Sequence, residues 1–121
     1  SGLELIVGVN NDDRLGPSVL LGLGGIFTEI FRDTALYPAP LNRWEALRMI
    51  DALRGKPLLY GYRGGAELDV DALAELLVKV GRFAVEKKDS LEEMDLNPVF
   101  VYPKGEGVKA ADALIVYRVK T

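Results

Sequence analysis

The chain has 121 residues, 49% of them apolar and 27% charged, with a net charge of −3 and a pI near 5.0. That is the size and composition of one globular domain, and it offers no broad basic surface to neutralise a phosphate backbone, which argues against a nucleic-acid partner. There is no Cys and no His, so disulfides, thiolate metal sites and imidazole catalysis by this chain are excluded.

Any acid, base or metal ligand here must therefore be a carboxylate, amide, hydroxyl, Lys or Arg. No apolar run approaches the ~20 residues of a membrane span, and the N-terminus carries no basic-plus-apolar leader, so the expectation is a soluble, cytoplasmic protein with no membrane partner. Ser1-Gly2 has the look of a cloning remnant. A strand pattern begins at once with Leu3, so the natural polypeptide is expected to extend upstream.

Leu3 to Val9 is rich in branched residues and ends at Asn10-Asn11-Asp12-Asp13, which favours a turn because Asn and Asp bond their own backbone. After Gly16-Pro17, Ser18 to Leu23 reads as a second strand, Gly24-Gly25 as a hairpin, and Ile26 to Arg32 as a third strand. In that strand Glu29 falls between Phe27 and Phe31 on one face, an unusual place for a carboxylate. Pro38 and Pro40 then predict a break in strand pairing.

Asn42 with Glu45 forms a capping-box pattern that opens a helix over 43–54, closed by Gly55 and Pro57. The segment 58–65 reads as a loop with a short strand. Asp69 caps a second helix whose apolar stripe includes Leu73, Leu77, Val80 and Ala84; Gly81 inside it costs about 1 kcal/mol relative to Ala. A strand with Glu93, Asp95 and Asn97 on one face and Met94 and Leu96 on the other follows, then a short strand at 99–102, a glycine-rich turn at 103–107 and a long final strand over 108–119. No repeat, low-complexity tract or linker interrupts the series.

Runs of strands separated by helices predict a single α+β domain over 1–121: a mainly antiparallel sheet with two helices on one face and a polar, concave surface on the other. Three sets of residues carry candidate chemistry. The run Gly22-Leu23-Gly24-Gly25-Ile26-Phe27 lacks the third glycine of a dinucleotide fingerprint and the Lys-Ser/Thr of a P-loop, so its default role is a tight turn with close backbone packing. Arg63 in Gly61-Tyr62-Arg63-Gly64-Gly65 is placed to grip a phosphate or carboxylate, against the ordinary alternative of a surface arginine. The oxygen set Glu29, Glu93, Asp95, Asn97 and Asp112 has the donor chemistry of a hard divalent cation, against the alternative of a solvated acidic face. Asp112 stands out because it interrupts an apolar strand, where a bare charge is costly. Tyr60 and Tyr62 read as packing groups and Trp44 as a partly buried anchor or an interface residue.

Taken in order, Glu4 to Val9, Gly22 to Glu29, Gly61 to Gly64, Asp95-Leu96-Asn97-Pro98 and Ala111-Asp112-Ala113 resemble the C-terminal half of the ATP-grasp domain in ADP-forming acyl-CoA synthetases, relatives of the succinyl-CoA synthetase β subunit. Each motif alone is weak; the ordered set is specific and spans nearly the whole chain. The resemblance implies a nucleotide, ATP or ADP, clamped between two α+β subdomains, of which this is the second, with Mg²⁺ on its sheet. Asp95 and Asn97 match the family's acidic-x-Asn pair, and Asn97 with Asp112 match the metal ligands of the succinyl-CoA synthetase branch. Gly24, Gly25, Glu29, Arg63 and Asp95 would belong to the nucleotide-binding site, with Asp95 and Glu29 able to orient ligands from behind.

In such enzymes acyl-CoA, ADP and phosphate are interconverted with acid, CoA and ATP through an acyl phosphate and a phosphohistidine. A chain without His holds no phosphohistidine, so the expected partners are the N-terminal ATP-grasp subdomain and CoA-binding domains or a CoA-binding subunit, and the fragment alone is expected to be inactive. Two other readings stand beside this one: a regulatory synthetase-like module of a protein-lysine acetyltransferase, and a non-enzymatic module that docks another domain through its open sheet face.

Overall fold

The computed structural model describes residues 3–25 and 32–119, with Arg63 described by its backbone alone. Strands β1 (Leu3–Asp12), β2 (Gly16–Leu23) and β3 (Thr34–Pro38) precede helices α1 (Arg43–Asp51) and α2 (Val70–Glu86). Strands β4 (Leu91–Val101), β5 (Val108–Ala110) and β6 (Ala113–Tyr117) follow. Among the described residues these strands form one sheet, in the order β3-β2-β1-β4, with β5 and β6 both pairing the outer side of β4. Every pairing is antiparallel, as expected for strands joined by hairpins and helical excursions.

The β1–β2 turn is built by Asp12, whose carboxylate accepts from the backbone N–H of Leu15 at 2.9 Å and of Arg14 at 2.8 Å. Those N–H groups, Leu15 first, hold the Asp12 carboxyl below its usual range. Gly16 completes the turn at φ +82°, a conformation that costs glycine nothing. The third strand predicted over 26–32 falls largely outside the described residues. The strand that pairs with β2 is Thr34–Pro38, in register from Gly22↔Thr34 to Ser18↔Pro38. Pro38 therefore ends a strand instead of preventing one, because β3 lies at the sheet edge, where a missing N–H breaks no ladder.

Helix α1 opens as predicted. The Asn42 side chain accepts from Glu45 N at 2.8 Å, and the Glu45 carboxylate accepts from Asn42 N at 2.9 Å. Tyr37 O–H also donates to Glu45, which ties β3 to the helix and lowers the Glu45 carboxyl. The helix ends three residues earlier than expected, at Asp51. The physical reason is Asp33, 4% exposed, whose two oxygens capture the N–H groups of Arg54 at 2.8 Å and Gly55 at 2.6 Å. The connection to α2 contains two 3₁₀ turns, Lys56–Leu58 and Tyr62–Gly64, where a loop with a short strand was expected; strand pairing there is reduced to the isolated bridges Tyr60↔Glu67 and Leu68↔Pro103.

Helix α2 buries Val70, Leu73, Ala74, Leu77, Val80, Gly81 and Ala84. Gly81 is explained by a close approach, since a Cβ there would lie 2.7 Å from Leu41 Cδ2. The stripe packs on Leu5, Val7 and Val9 of β1, Val19, Leu21 and Leu23 of β2, and Leu91, Met94, Leu96, Val99 and Val101 of β4, all in one buried cluster. Burial of this apolar layer is the main stabilising contribution, about 1.5–3 kcal/mol per large side chain. The last two corrections concern the C-terminal third. The acidic strand and the 99–102 strand are one continuous β4, and the predicted 108–119 strand is two, interrupted at Ala111-Asp112.

The α2 N-terminus rests on Asp69, 9% exposed, which accepts from Gly107 N at 2.8 Å, Gly105 N at 3.1 Å and Ala72 N at 3.1 Å. The Gly107 N–H above all, then that of Ala72, holds its carboxyl below the ordinary value of 3.8. A carboxyl lowered on folding contributes stability that is present above its unfolded pKa and is lost as pH falls through the lower folded value. Asp69→Asn is therefore expected to lower the denaturant midpoint at about pH 6 and to differ progressively less from the native chain below about pH 4, measured by urea titrations across that range.

Candidate functional site

The register of the sheet sorts the predicted site residues without ambiguity. Opposite residues in an antiparallel pair share a face, so Gly8↔Leu20 and Gly8↔Asp95, Asn10↔Glu93, Leu20↔Leu36 and Asp95↔Leu114 set all of these on the face away from the helices. Glu93, Asp95 and Asn97 do project from one face, as their spacing predicts, and all three are exposed. The surface is not purely polar, however. Leu36 is 64% and Leu114 58% exposed, and with Gly8, Asn10, Leu20, Glu93 and Asp95 they line a shallow depression of about 410 Å³. Sequence reading missed this apolar half, although alternation along Thr34–Pro38 and Ala113–Tyr117 contains the signal: each strand carries apolar residues on both faces.

Asn97 and Asp112 are brought together by two irregularities that coincide. On one side of β4 the register with β1 slips between Leu5↔Val99 and Val7↔Leu96, so Asn97 and Pro98 together oppose Ile6. That is a β-bulge, the arrangement by which a central strand tolerates a residue with no N–H, and it re-aims the neighbouring side chain. On the other side the partner strand breaks at Ala111-Asp112, where Asn97 N donates to Asp112 O at 3.2 Å and Ala111 N donates to Pro98 O at 2.9 Å. The Asp112 carboxylate is exposed and accepts from Ala113 N at 2.8 Å through Oδ1. The expectation of a costly charge inside an apolar strand is thus corrected: Asp112 sits in the break between β5 and β6, in water.

Gly24 and Gly25 lie at the same end of the sheet, on the other flank of β1. Gly24 N donates to Glu4 O at 2.9 Å. A Cβ on Gly24 would sit 3.2 Å from Glu4 O and 3.3 Å from Glu4 C, and Gly25 adopts φ +63°. These glycines are required by close backbone packing and a left-handed turn, as the simpler reading held. One strand separates them from Asn97, so the two features lie roughly 10 Å apart across the sheet. Glu29 lies outside the described residues. Arg63 is on the 3₁₀ turn Tyr62–Gly64 between α1 and α2, and its side chain also lies outside the described part.

Tyr60 is 43% exposed and donates to Asp51 at 2.9 Å; burial first, then that bond, pushes its hydroxyl up to about 12, so it stays protonated and is no general base. Trp44 is 63% exposed, with the Arg48 guanidinium 4.9 Å from its ring centre. It is a surface cation–π pair and not a buried anchor.

Among the described residues no group of three or more His, Cys, Asp or Glu converges. The donor set at the bulge is one amide and one carboxylate with water access. That suits Mg²⁺, which takes one or two protein oxygens and completes its octahedron with water and phosphate oxygens, and does not suit a cation that needs a full protein cage.

The model of the ATP-grasp domain family matches residues 1–117, and the chain belongs to that family. The β subunit of an ADP-forming acetate–CoA ligase II of Pyrococcus furiosus is 42% identical over 117 residues, covering 97% of this chain and 50% of that protein. A trans-feruloyl-CoA synthase of an unknown prokaryotic organism is 46% identical over 115 residues, 95% of this chain and 16% of that protein. Among solved structures, PH1788 from Pyrococcus horikoshii superposes with a TM-score of 0.93 at 40% identity, over 98% of this chain and 50% of the other. An acetyl-coenzyme A synthetase 1 of Candidatus Korarchaeum cryptofilum, in complex with coenzyme A and Mg-AMPPCP, gives 0.89 at 44% identity over 98% and 54%. The chain thus spans half or less of the curated relatives it matches. The α+β, antiparallel architecture with both helices on one face is that of an ATP-grasp half.

Because Gly24 abuts backbone and not a flexible side chain, Gly24→Val is expected to lower stability by about 1–3 kcal/mol, read as a shift of the urea midpoint, with the loss concentrated at the β1–β2 end in hydrogen exchange.

Proposed function

We propose that this chain is the nucleotide- and Mg²⁺-holding half of an ADP-forming acyl-CoA synthetase that interconverts acyl-CoA, ADP and phosphate with acid, CoA and ATP. The observation that carries the reading is the coincidence of the β4 bulge with the β5–β6 break, which joins the Asn97 and Asp112 backbones, Asn97 N donating to Asp112 O at 3.2 Å, with both side chains exposed. Support for the chemistry comes from relatives described as ADP-forming ligases and from a similar fold in complex with Mg-AMPPCP.

In this reading Asn97 and Asp112 hold the cation, whose contribution when bound is to neutralise phosphate charge during phosphoryl transfer. Asp95, two residues along the same face and opposite the side-chain-free Gly8, orients the ligands and repels a misplaced phosphate. Leu20, Leu36 and Leu114 form an apolar platform beside them. Glu93, at the far end of the face, is left as a solvated charge. Gly24, Gly25, Glu29 and Arg63 remain candidates for nucleotide contact, and the first ATP-grasp subdomain and CoA-binding domains or a CoA-binding subunit are the partners the reading requires. A cytoplasmic setting fits the nucleotide and CoA substrates. No described helix is long and apolar enough to cross a membrane.

In the complete assembly, Asn97→Ala and Asp112→Ala are each expected to cut Mg²⁺-dependent nucleotide turnover by at least about tenfold, the loss of a direct metal ligand, while thermal unfolding stays close to that of the parent protein. Both side chains are exposed, so neither truncation opens the core. Parent-like rates in both variants would remove the metal assignment, and the absence of Mg-ADP or Mg-ATP binding by calorimetry would favour the docking-module reading.

A further inference from the structure

Asp112 lies between two strands that are held unequally. On its C-terminal side β6 pairs with β4 at five positions, beginning at Leu96↔Ala113. On its N-terminal side β5 is three residues long and pairs Val99↔Ala110, Phe100↔Lys109 and Val101↔Val108. Lys109 and Ala110 are exposed and Val108 is half-buried, so apolar burial does little to fix β5 against β4. The weaker side of Asp112 needs another support.

That support is at the closed end of the β4–β5 hairpin. The Asp69 carboxylate divides its work between two elements: Oδ1 accepts from Ala72 N at 3.1 Å and caps α2, while Oδ2 accepts from Gly107 N at 2.8 Å and Gly105 N at 3.1 Å. Gly105 and Gly107 adopt φ +88° and +85°, conformations open to glycine, and both of their N–H groups meet the same oxygen. Backbone bonds close the joint. Asp69 N donates to Tyr102 O at 2.8 Å, Lys104 N to Glu67 O at 2.9 Å and Tyr102 N to Gly107 O at 3.0 Å. From Gly107 the chain runs through β5 straight to the site, where Ala111 N donates to Pro98 O and Asn97 N to Asp112 O. One end of the hairpin is therefore fixed at Asp69, and the other carries Asp112.

We propose that Asp69 is a positioning residue for the cation site: by clamping the β4–β5 turn it sets the register of β5, and through β5 the placement of Asp112 against Asn97. The proposal rests on the reading of Asn97 and Asp112 as ligands of Mg²⁺. The oxygens of Asp69 are engaged by three N–H groups, so it acts through the strand and not as a ligand. Its loss weakens the hold on a cation without removing a donor.

Two substitutions separate the clamp from the helix cap. Asp69→Ser keeps a strong N-cap oxygen for Ala72 N and has no second oxygen for the turn. Asp69→Asn keeps the size and replaces one acceptor with an amide group that cannot accept. Asn42→Ala, which removes the side-chain cap of α1, is the reference for a loss of capping away from β5. All three are made in the parent polypeptide. In hydrogen exchange without metal or nucleotide, peptides containing Asn97 and Ala111 are expected to exchange at least about fivefold faster in both Asp69 variants, while β1 and β2 keep parent rates. In Asn42→Ala the Asn97 and Ala111 peptides are expected to match the parent.

Mn²⁺ titrations followed by electron paramagnetic resonance, with ADP present, are expected to give an apparent Kd at least about threefold higher in both Asp69 variants and unchanged in Asn42→Ala. Parent-like exchange at Asn97 and Ala111 overturns the proposal, as does faster exchange spread evenly over the whole sheet. So does an unchanged Mn²⁺ affinity in the Asp69 variants when Asp112→Ala weakens it. If Asn97→Ala and Asp112→Ala also leave Mn²⁺ affinity unchanged while exchange is faster, the metal reading falls and the hold of Asp69 on β5 stands.

Discussion

The constraint on which the rest depends is the pairing of β4, a strand flanked on both sides that contains a proline. Pro98 has no N–H to give to the ladder, so regular pairing on both flanks is impossible at that point. The sheet answers with a bulge against β1 and a break in the outer partner between β5 and β6, while Pro98 O still accepts from Ala111 N at 2.9 Å. Before and after the bulge, β4 keeps its apolar side on the core, from Leu91, Met94 and Leu96 to Val99 and Val101. The bulge and the break together preserve the core face along the strand and join the Asn97 and Asp112 backbones.

Buried and exposed acids play different parts in this chain. Asp33 and Asp69 are the most buried carboxylates among the described residues, and both spend their oxygens on backbone N–H groups that would otherwise go unsatisfied. They end one helix and begin the other, fixing the layer that seals the core. Asp95, Asn97 and Asp112 are exposed, and Asp112 accepts from Ala113 N at 2.8 Å. The fold commits the first set to backbone N–H groups and leaves the second open to solvent.

The helical layer covers only part of the sheet: Ile115 and Tyr117, paired with the buried Met94 and Leu91, are themselves exposed. A domain of this size buries a modest share of its surface.

The sequence by itself determined the elements governed by local chemistry. The capping box at Asn42 and Glu45, the Asp69 cap, the stripe of α2 and the alternation of Glu93, Asp95 and Asn97 all depend on near neighbours in the chain, and each is present. The α+β class and the family resemblance were legible for the same reason, being carried by ordered short motifs. Only the tertiary structure decided what depends on distant partners. Helix α1 stops at Asp51 because Asp33 takes the N–H groups of Arg54 and Gly55 from across the fold. Pro38 pairs because its strand is an edge, and Asp112 lies in a break because Pro98, fourteen positions earlier, forces one. Leu36 and Leu114 flank the acidic residues because sheet register, which no local pattern encodes, sets them on that face.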